Sequence, residues 1–90
     1  DVVVGISASG NSPNVLKALE VAHQQHAYTI GFTGFNGGKM GPMVDVHINI
    51  PNNSYEQVED IHLMLEHMMV CALKDRIRSE APPQKALEAM

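Results

Sequence analysis

Ninety residues with a formal charge of −4, 44 % hydrophobic and 18 % charged side chains suit one soluble α/β domain, or part of one. Six Lys and Arg without a stripe, and aromatics limited to Tyr28, Phe32, Phe35 and Tyr55, argue against a nucleic-acid partner. No apolar stretch reaches the length of a membrane span and no secretory signal is visible, so a membrane partner is not expected either.

The chain opens on Asp1 and reads as strand by Val2, as the later part of a larger domain would. Val2 to Ile6 does not alternate apolar with polar, which predicts a strand buried on both faces of a parallel sheet. The strand runs into Ser7-Ala8-Ser9-Gly10-Asn11-Ser12, and Pro13 then opens a helix where its missing N–H costs nothing. A strand–turn–helix junction of this composition suits an anion. The first-turn N–H groups and the helix dipole favour a phosphate. Ser7, Ser9 and Ser12 can donate hydroxyl hydrogens to its oxygens, while Gly5 and Gly10 allow close backbone approach. Helix capping by Ser12 and Asn11 is the plainer reading, but it leaves Ser7 and Ser9 unexplained. A dinucleotide fits less well. Ser7 stands where its fingerprint needs a second glycine, and the next strand lacks the acidic residue that binds the ribose.

Val15, Ala18, Leu19 and Ala22 form one apolar helical face, and the helix should reach about Gln25. Tyr28 to Thr33 is the second strand, making a right-handed β-α-β unit. Gly34 to Gly38 is a glycine-rich turn. Lys39-Met40 can begin a short helical piece that Gly41-Pro42 should cut off. Val46 to Ile50 is a third strand, ended by Pro51. Ser54-Tyr55-Glu56-Gln57 has the form of a capping box, with Gln57 reaching back to the Ser54 N–H.

The helix that follows carries Val58, Ile61, Leu65, Met68 or Met69, Ala72 and Leu73 on one stripe and should run to about Arg78. Its apolar circumference and methionines suit core packing together with a subunit interface. Cys71 reads as a small buried hydrophobe in a reducing, cytoplasmic compartment. Residues 1–78 therefore read as the C-terminal part of a single domain, and residues 79–90, with Pro82-Pro83, as a tail. Glu59, His62, Glu66 and His67 share the same helix. Glu59 and His67 are separated by about 80° of rotation and about 12 Å of rise, so they could share a metal only by reaching toward each other. Solvent exposure or ordinary hydrogen bonds remain the alternative for these side chains, since two ligands without a third make a poor metal site. His23, His26 and His47 receive no role.

The segment Gly5-Ile6-Ser7-x-Ser9-Gly10-Asn11-Ser12-Pro13-Asn14-Val15-Leu16-Lys17-Ala18 resembles the core motif of sugar isomerase (SIS) domains, closest to the phosphoheptose isomerase branch. Gly31-Phe32-Thr33-Gly34-x-x-Gly37-Gly38-Lys39-Met40, Ile50-Pro51 and Glu59-x-x-His62-x-x-x-x-His67 resemble that branch too, so the likeness covers about residues 1–78. The resemblance implies a doubly wound parallel α/β/α sheet, of which this chain is the C-terminal half. It implies that the Ser7-Ala8-Ser9 turn and Ser12 hold a sugar phosphate. It also implies that His67 is the zinc-binding acid/base, and that Glu59 stands where a glutamine usually touches substrate and metal. Ala8 replaces a usual threonine. Further zinc ligands would lie upstream, and a homotetramer with shared active sites is implied. The activity so implied is aldose–ketose isomerisation of a phosphorylated sugar, sedoheptulose 7-phosphate being the type substrate. SIS domains that bind sugar phosphates without chemistry, as regulators or adaptors, are the alternative.

Overall fold

The computed structural model describes residues 1–80. The elements, in chain order, are β1 (Val2–Ile6), α1 (Pro13–Gln24), β2 (Tyr28–Gly34), a short 3₁₀ turn (Gly41–Met43), β3 (Val46–Ile50) and α2 (Tyr55–Glu80). The strands form one parallel sheet in the order β1-β2-β3, with Val2 beside Tyr28 and Ile30 beside Val46.

The helices cover opposite faces. Gly5 sits under Leu19 of α1, and Gly34 sits under Val58 of α2. Gly5 pairs with Gly31, while Phe32, one residue on and therefore on the other face, meets the His62 ring of α2. This is the doubly wound α/β arrangement that the resemblance implies. Leu19, Ala22, Phe32, Met40 and Val58 form the buried apolar core. Full burial of a side chain the size of Leu19 or Phe32 contributes roughly 1.5–3 kcal/mol.

α1 ends where expected. His26 takes a left-handed φ of 62°, and the Ala27 N–H returns to the Ala22 carbonyl at 3.0 Å, closing the last turn. Ala18, expected on its apolar face, is exposed, whereas Leu19 and Ala22 are buried.

Several expectations are corrected. β1 is not buried on both faces: Val2 is 62 % exposed and Val4 41 %, because α2 packs on β2 and no described helix covers β1 on that side. The 3₁₀ turn begins at Gly41 and contains Pro42, which its first positions tolerate, instead of being cut off there. Cys71 is exposed. α2 buries Val58 and His62, while Met64 and, in its far half, Met68, Leu73 and Ile77 face outward. The capping box forms by halves. Ser54 Oγ accepts the Gln57 N–H at 3.4 Å, but the Gln57 carboxamide takes the Asn52 side chain at 2.7 Å, and Asn52 Oδ1 accepts the Ser54 N–H. Helix α2 runs through Ser79 and Glu80, and the Pro82-Pro83 stop lies outside the described residues. Among the described residues, no helix is long and apolar enough to cross a membrane.

Candidate functional site

The turn after β1 is organised by its own serines. Ser7 is buried, and its Oγ accepts the N–H groups of Gly10 at 3.2 Å and Ser12 at 3.4 Å. Ser9 Oγ accepts the Asn11 N–H at 3.1 Å. Both hydroxyls keep their single hydrogen to give elsewhere. Ser12 sits at the N-cap position of α1, yet its side chain makes no capping bond, so the simple capping reading of Ser12 does not hold. Among the described residues, the N–H groups of Ala8, Ser9, Asn14 and Val15 also lack an intramolecular acceptor. Hydroxyls and backbone donors thus converge at the amino end of α1, where the helix dipole favours negative charge.

A second layer holds the turn in place. Gly10 adopts a φ of 72°, a conformation that L side chains resist. Its carbonyl accepts the Met40 N–H at 2.9 Å, and Asn11 Oδ1 accepts the Lys39 N–H at 2.9 Å. The glycine-rich segment after β2 therefore works as a buttress. His47 and Asn49 of β3 brace the end of β2 through the buried Thr33 hydroxyl, at 2.6 and 2.8 Å. Asn49 Nδ2 donates to the Phe35 carbonyl, which turns Oδ1 toward Thr33. The hydroxyl hydrogen goes to that Oδ1, so His47 Nε2 donates to Thr33 Oγ1.

The turn forms one wall of a cleft of about 600 Å³ at the carboxyl ends of the strands, and α2 forms the other. Ile6, Ser7, Ala8, Ser9 and Ser12 line the first wall. Tyr55, Glu59, Asp60, His62, Leu63 and Glu66 line the second. Five of the six residues singled out from the sequence, Ser7, Ala8, Ser9, Ser12 and Glu59, thus share one cleft. His67 does not join them: it is exposed and lies outside the cleft lining. Among the described residues, no three His, Cys, Asp or Glu side chains come together to hold a metal ion. Glu59 and His67 alone fall short of the three or four protein ligands zinc takes, so the described residues do not by themselves complete a zinc centre.

His62 and His47 went unassigned from the sequence. His62 is 2 % exposed, its Nε2 lies 2.8 Å from the Thr33 carbonyl, and its Nδ1 is buried without a partner. One signal was present: His62 lies four residues after Val58, on the face that meets the sheet. For His47 nothing in the sequence marked a bond to a threonine fourteen residues earlier.

A parallel α/β sheet with its cleft beyond the carboxyl ends of the strands belongs to the doubly wound class, in which ligands bind at that edge. No protein-family model matches the chain. Curated relatives do. The chain is 41 % identical over 75 residues to the phosphoheptose isomerase of Aliarcobacter butzleri, a match covering 83 % of the chain and 39 % of the relative. It is 44 % identical over 70 residues to that of Fusobacterium nucleatum, covering 78 % and 36 %. Among solved structures, the phosphoheptose isomerase of Neisseria gonorrhoeae superposes with a TM-score of 0.74 at 42 % identity, covering 77 % of this chain and 40 % of that one. The Francisella tularensis enzyme gives 0.72 at 30 % identity, covering 76 % and 39 %. The chain spans about two-fifths of the length of the curated relatives it matches. Over that stretch it is homologous to part of a phosphoheptose isomerase.

Proposed function

We propose that this chain supplies the phosphate-binding wall of a sugar-phosphate isomerase that interconverts a ketoheptose 7-phosphate and an aldoheptose 7-phosphate. The observation that carries the reading is the Ser7–Ser12 turn, whose free donors face a cleft with Glu59 on its opposite wall. The similarity to phosphoheptose isomerases supports the phosphoheptose substrate.

In the reaction proposed, a base removes a proton from C1 of the ketose, the C2 carbonyl oxygen gains one, and an enediol forms. A proton returned to C2, with loss of the C1 hydroxyl proton, then gives the aldose. The Ser7, Ser9 and Ser12 hydroxyls and the first-turn N–H groups hold the phosphate, which fixes the carbon chain across the cleft. Ala8 contributes its backbone N–H. His67 keeps the acid/base role by the resemblance alone. It lies outside the lining of this chain's cleft, so it could serve only an active site completed by further parts of the protein. Zinc also rests on the resemblance alone. The outward apolar side chains of α2, such as Met68 and Ile77, support a covering by further protein, in keeping with the homotetramer the resemblance implies. A cytoplasmic setting is proposed on the same footing.

The test is an NMR time course of the full-length protein with sedoheptulose 7-phosphate in deuterated water. Aldoheptose phosphate carrying deuterium at C2 is the expected result. A bound sugar phosphate that stays unconverted would replace the isomerase reading with a binding module.

A further inference from the structure

We propose that His62 is the positioning residue of this cleft: its ring fixes the roll of α2 and so aims Glu59 and Glu66 at the phosphate turn. The inference rests on the reading of the cleft as a sugar-phosphate site.

α2 is 26 residues long, yet Val58 and His62 are its buried residues. Val58 packs against Gly34, where a Cβ would lie 2.5 Å from Val58 Cγ1. That contact is apolar and non-directional, so it holds the helix close without fixing its rotation. Of the two buried residues, His62 supplies the direction, one turn and more beyond the Asn52–Gln57 bond that anchors the start of the helix. Its Nε2 lies 2.8 Å from the Thr33 carbonyl oxygen, which can only accept, so Nε2 carries the hydrogen. Its ring meets Phe32 at a centroid distance of 5.9 Å and a tilt of 46°. The acceptor residue is itself held, since the Thr33 hydroxyl is bonded to Asn49 and His47 across the sheet.

Glu59 lies three residues before His62 and Glu66 four after, so all three share one helix face, and all three line the cleft. At about 6 Å from the helix axis, a roll of about 20° would shift a carboxylate by about 2 Å. Misplacement by about 1 Å can cost about a hundredfold in rate. The unpartnered Nδ1 means that this ring serves the fold through one hydrogen bond. A glutamine side chain can place its amide nitrogen near the position of Nε2, whereas asparagine reaches the position of Nδ1.

The experiment compares His62→Gln with His62→Asn in the full-length protein. It measures kcat and KM with sedoheptulose 7-phosphate, and affinity for inorganic phosphate. The Asn variant should lose about tenfold or more in kcat while phosphate affinity stays within about twofold, because no hydrogen bond of the turn comes from α2. The Gln variant should recover kcat to within about threefold of wild type. Unchanged kcat in the Asn variant overturns the assignment. So does an equal fall of kcat and phosphate affinity in both variants, which is the mark of a merely structural residue. Should neither variant fold, long-range 1H–15N correlation on the wild type reads the tautomer: a hydrogen on Nε2 supports the role, and one on Nδ1 overturns it. A wild type that binds the sugar phosphate without converting it would end the isomerase reading alone. The same two variants are then read by sugar-phosphate affinity, with loss in Asn and retention in Gln expected and equal effects overturning the role. No binding at all overturns both.

Discussion

The α-carbon of Gly10 rests directly against the carbonyl of Gly37, and a Cβ on Gly10 would overlap that oxygen. The contact joins the serine turn to the glycine-rich segment after β2, so two loops far apart in sequence behave as one unit. Gly10→Ala meets both this overlap and a left-handed φ of 72°, which alone costs an L residue about 1–2 kcal/mol. The variant should melt several degrees lower and bind sugar phosphate at least about tenfold more weakly, as thermal unfolding and calorimetry will show.

Ser7→Ala tests the organisation of the turn from inside. The Gly10 N–H keeps a second acceptor in the Ser7 carbonyl at 3.0 Å, but the Ser12 N–H loses its partner. The expected loss is about 1 kcal/mol of stability from that donor. Loss of a hydroxyl that donates to a phosphate should weaken sugar-phosphate binding by about tenfold to about a hundredfold. Equal affinity in variant and wild type, measured by calorimetry, would place the anion elsewhere.

Glu59→Gln removes a negative charge from the wall facing the phosphate turn. Both Glu59 and the cleft are open to solvent, so the repulsion is screened and worth at most about 1 kcal/mol. Sugar-phosphate affinity should rise by about fivefold or less at low salt, and the difference should shrink as salt is added. An affinity that falls in the Gln variant would show that the carboxylate accepts hydrogen bonds from the sugar.

Acid should loosen the end of the sheet remote from the cleft. Asp45 Oδ2 accepts the Thr29 N–H at 2.8 Å and its hydroxyl at 3.1 Å. The backbone bond and then the hydroxyl bond, with a smaller contribution from His23, hold its carboxyl below the ordinary value of 3.8. A depressed folded-state value means that the stabilisation is complete above the unfolded value. It is lost as pH falls through the lower, folded one. Melting temperatures of wild type and Asp45→Asn should differ most near pH 5 and converge toward about pH 2. A constant gap would show that the Thr29 bonds do not depend on the charge.

How much the sequence reveals differs between the two walls of the cleft. β1, α1 and β2 follow from local rules: an apolar run, Pro13 in the first helical turn, and a second strand of β-branched and aromatic residues. The serine turn was legible because its chemistry is concentrated in six consecutive residues. The α2 wall was not. Helical periodicity gives which residues share a face, but it does not say how much of that face the rest of the protein covers. Hence Cys71 was expected inside and is exposed, and His62, which received no role of its own, is buried. The Thr33–His47 bond depends on the register of β2 against β3, which no local pattern encodes.

The measurement that reaches the central claim most directly is a calorimetric titration of the full-length protein with sedoheptulose 7-phosphate and with unphosphorylated sedoheptulose, repeated on Ser7→Ala/Ser12→Ala. The account predicts that removing the phosphate weakens binding by about a hundredfold or more, and that the double variant loses most of that preference. Equal binding of the two sugars, or a double variant with the full preference intact, would contradict it.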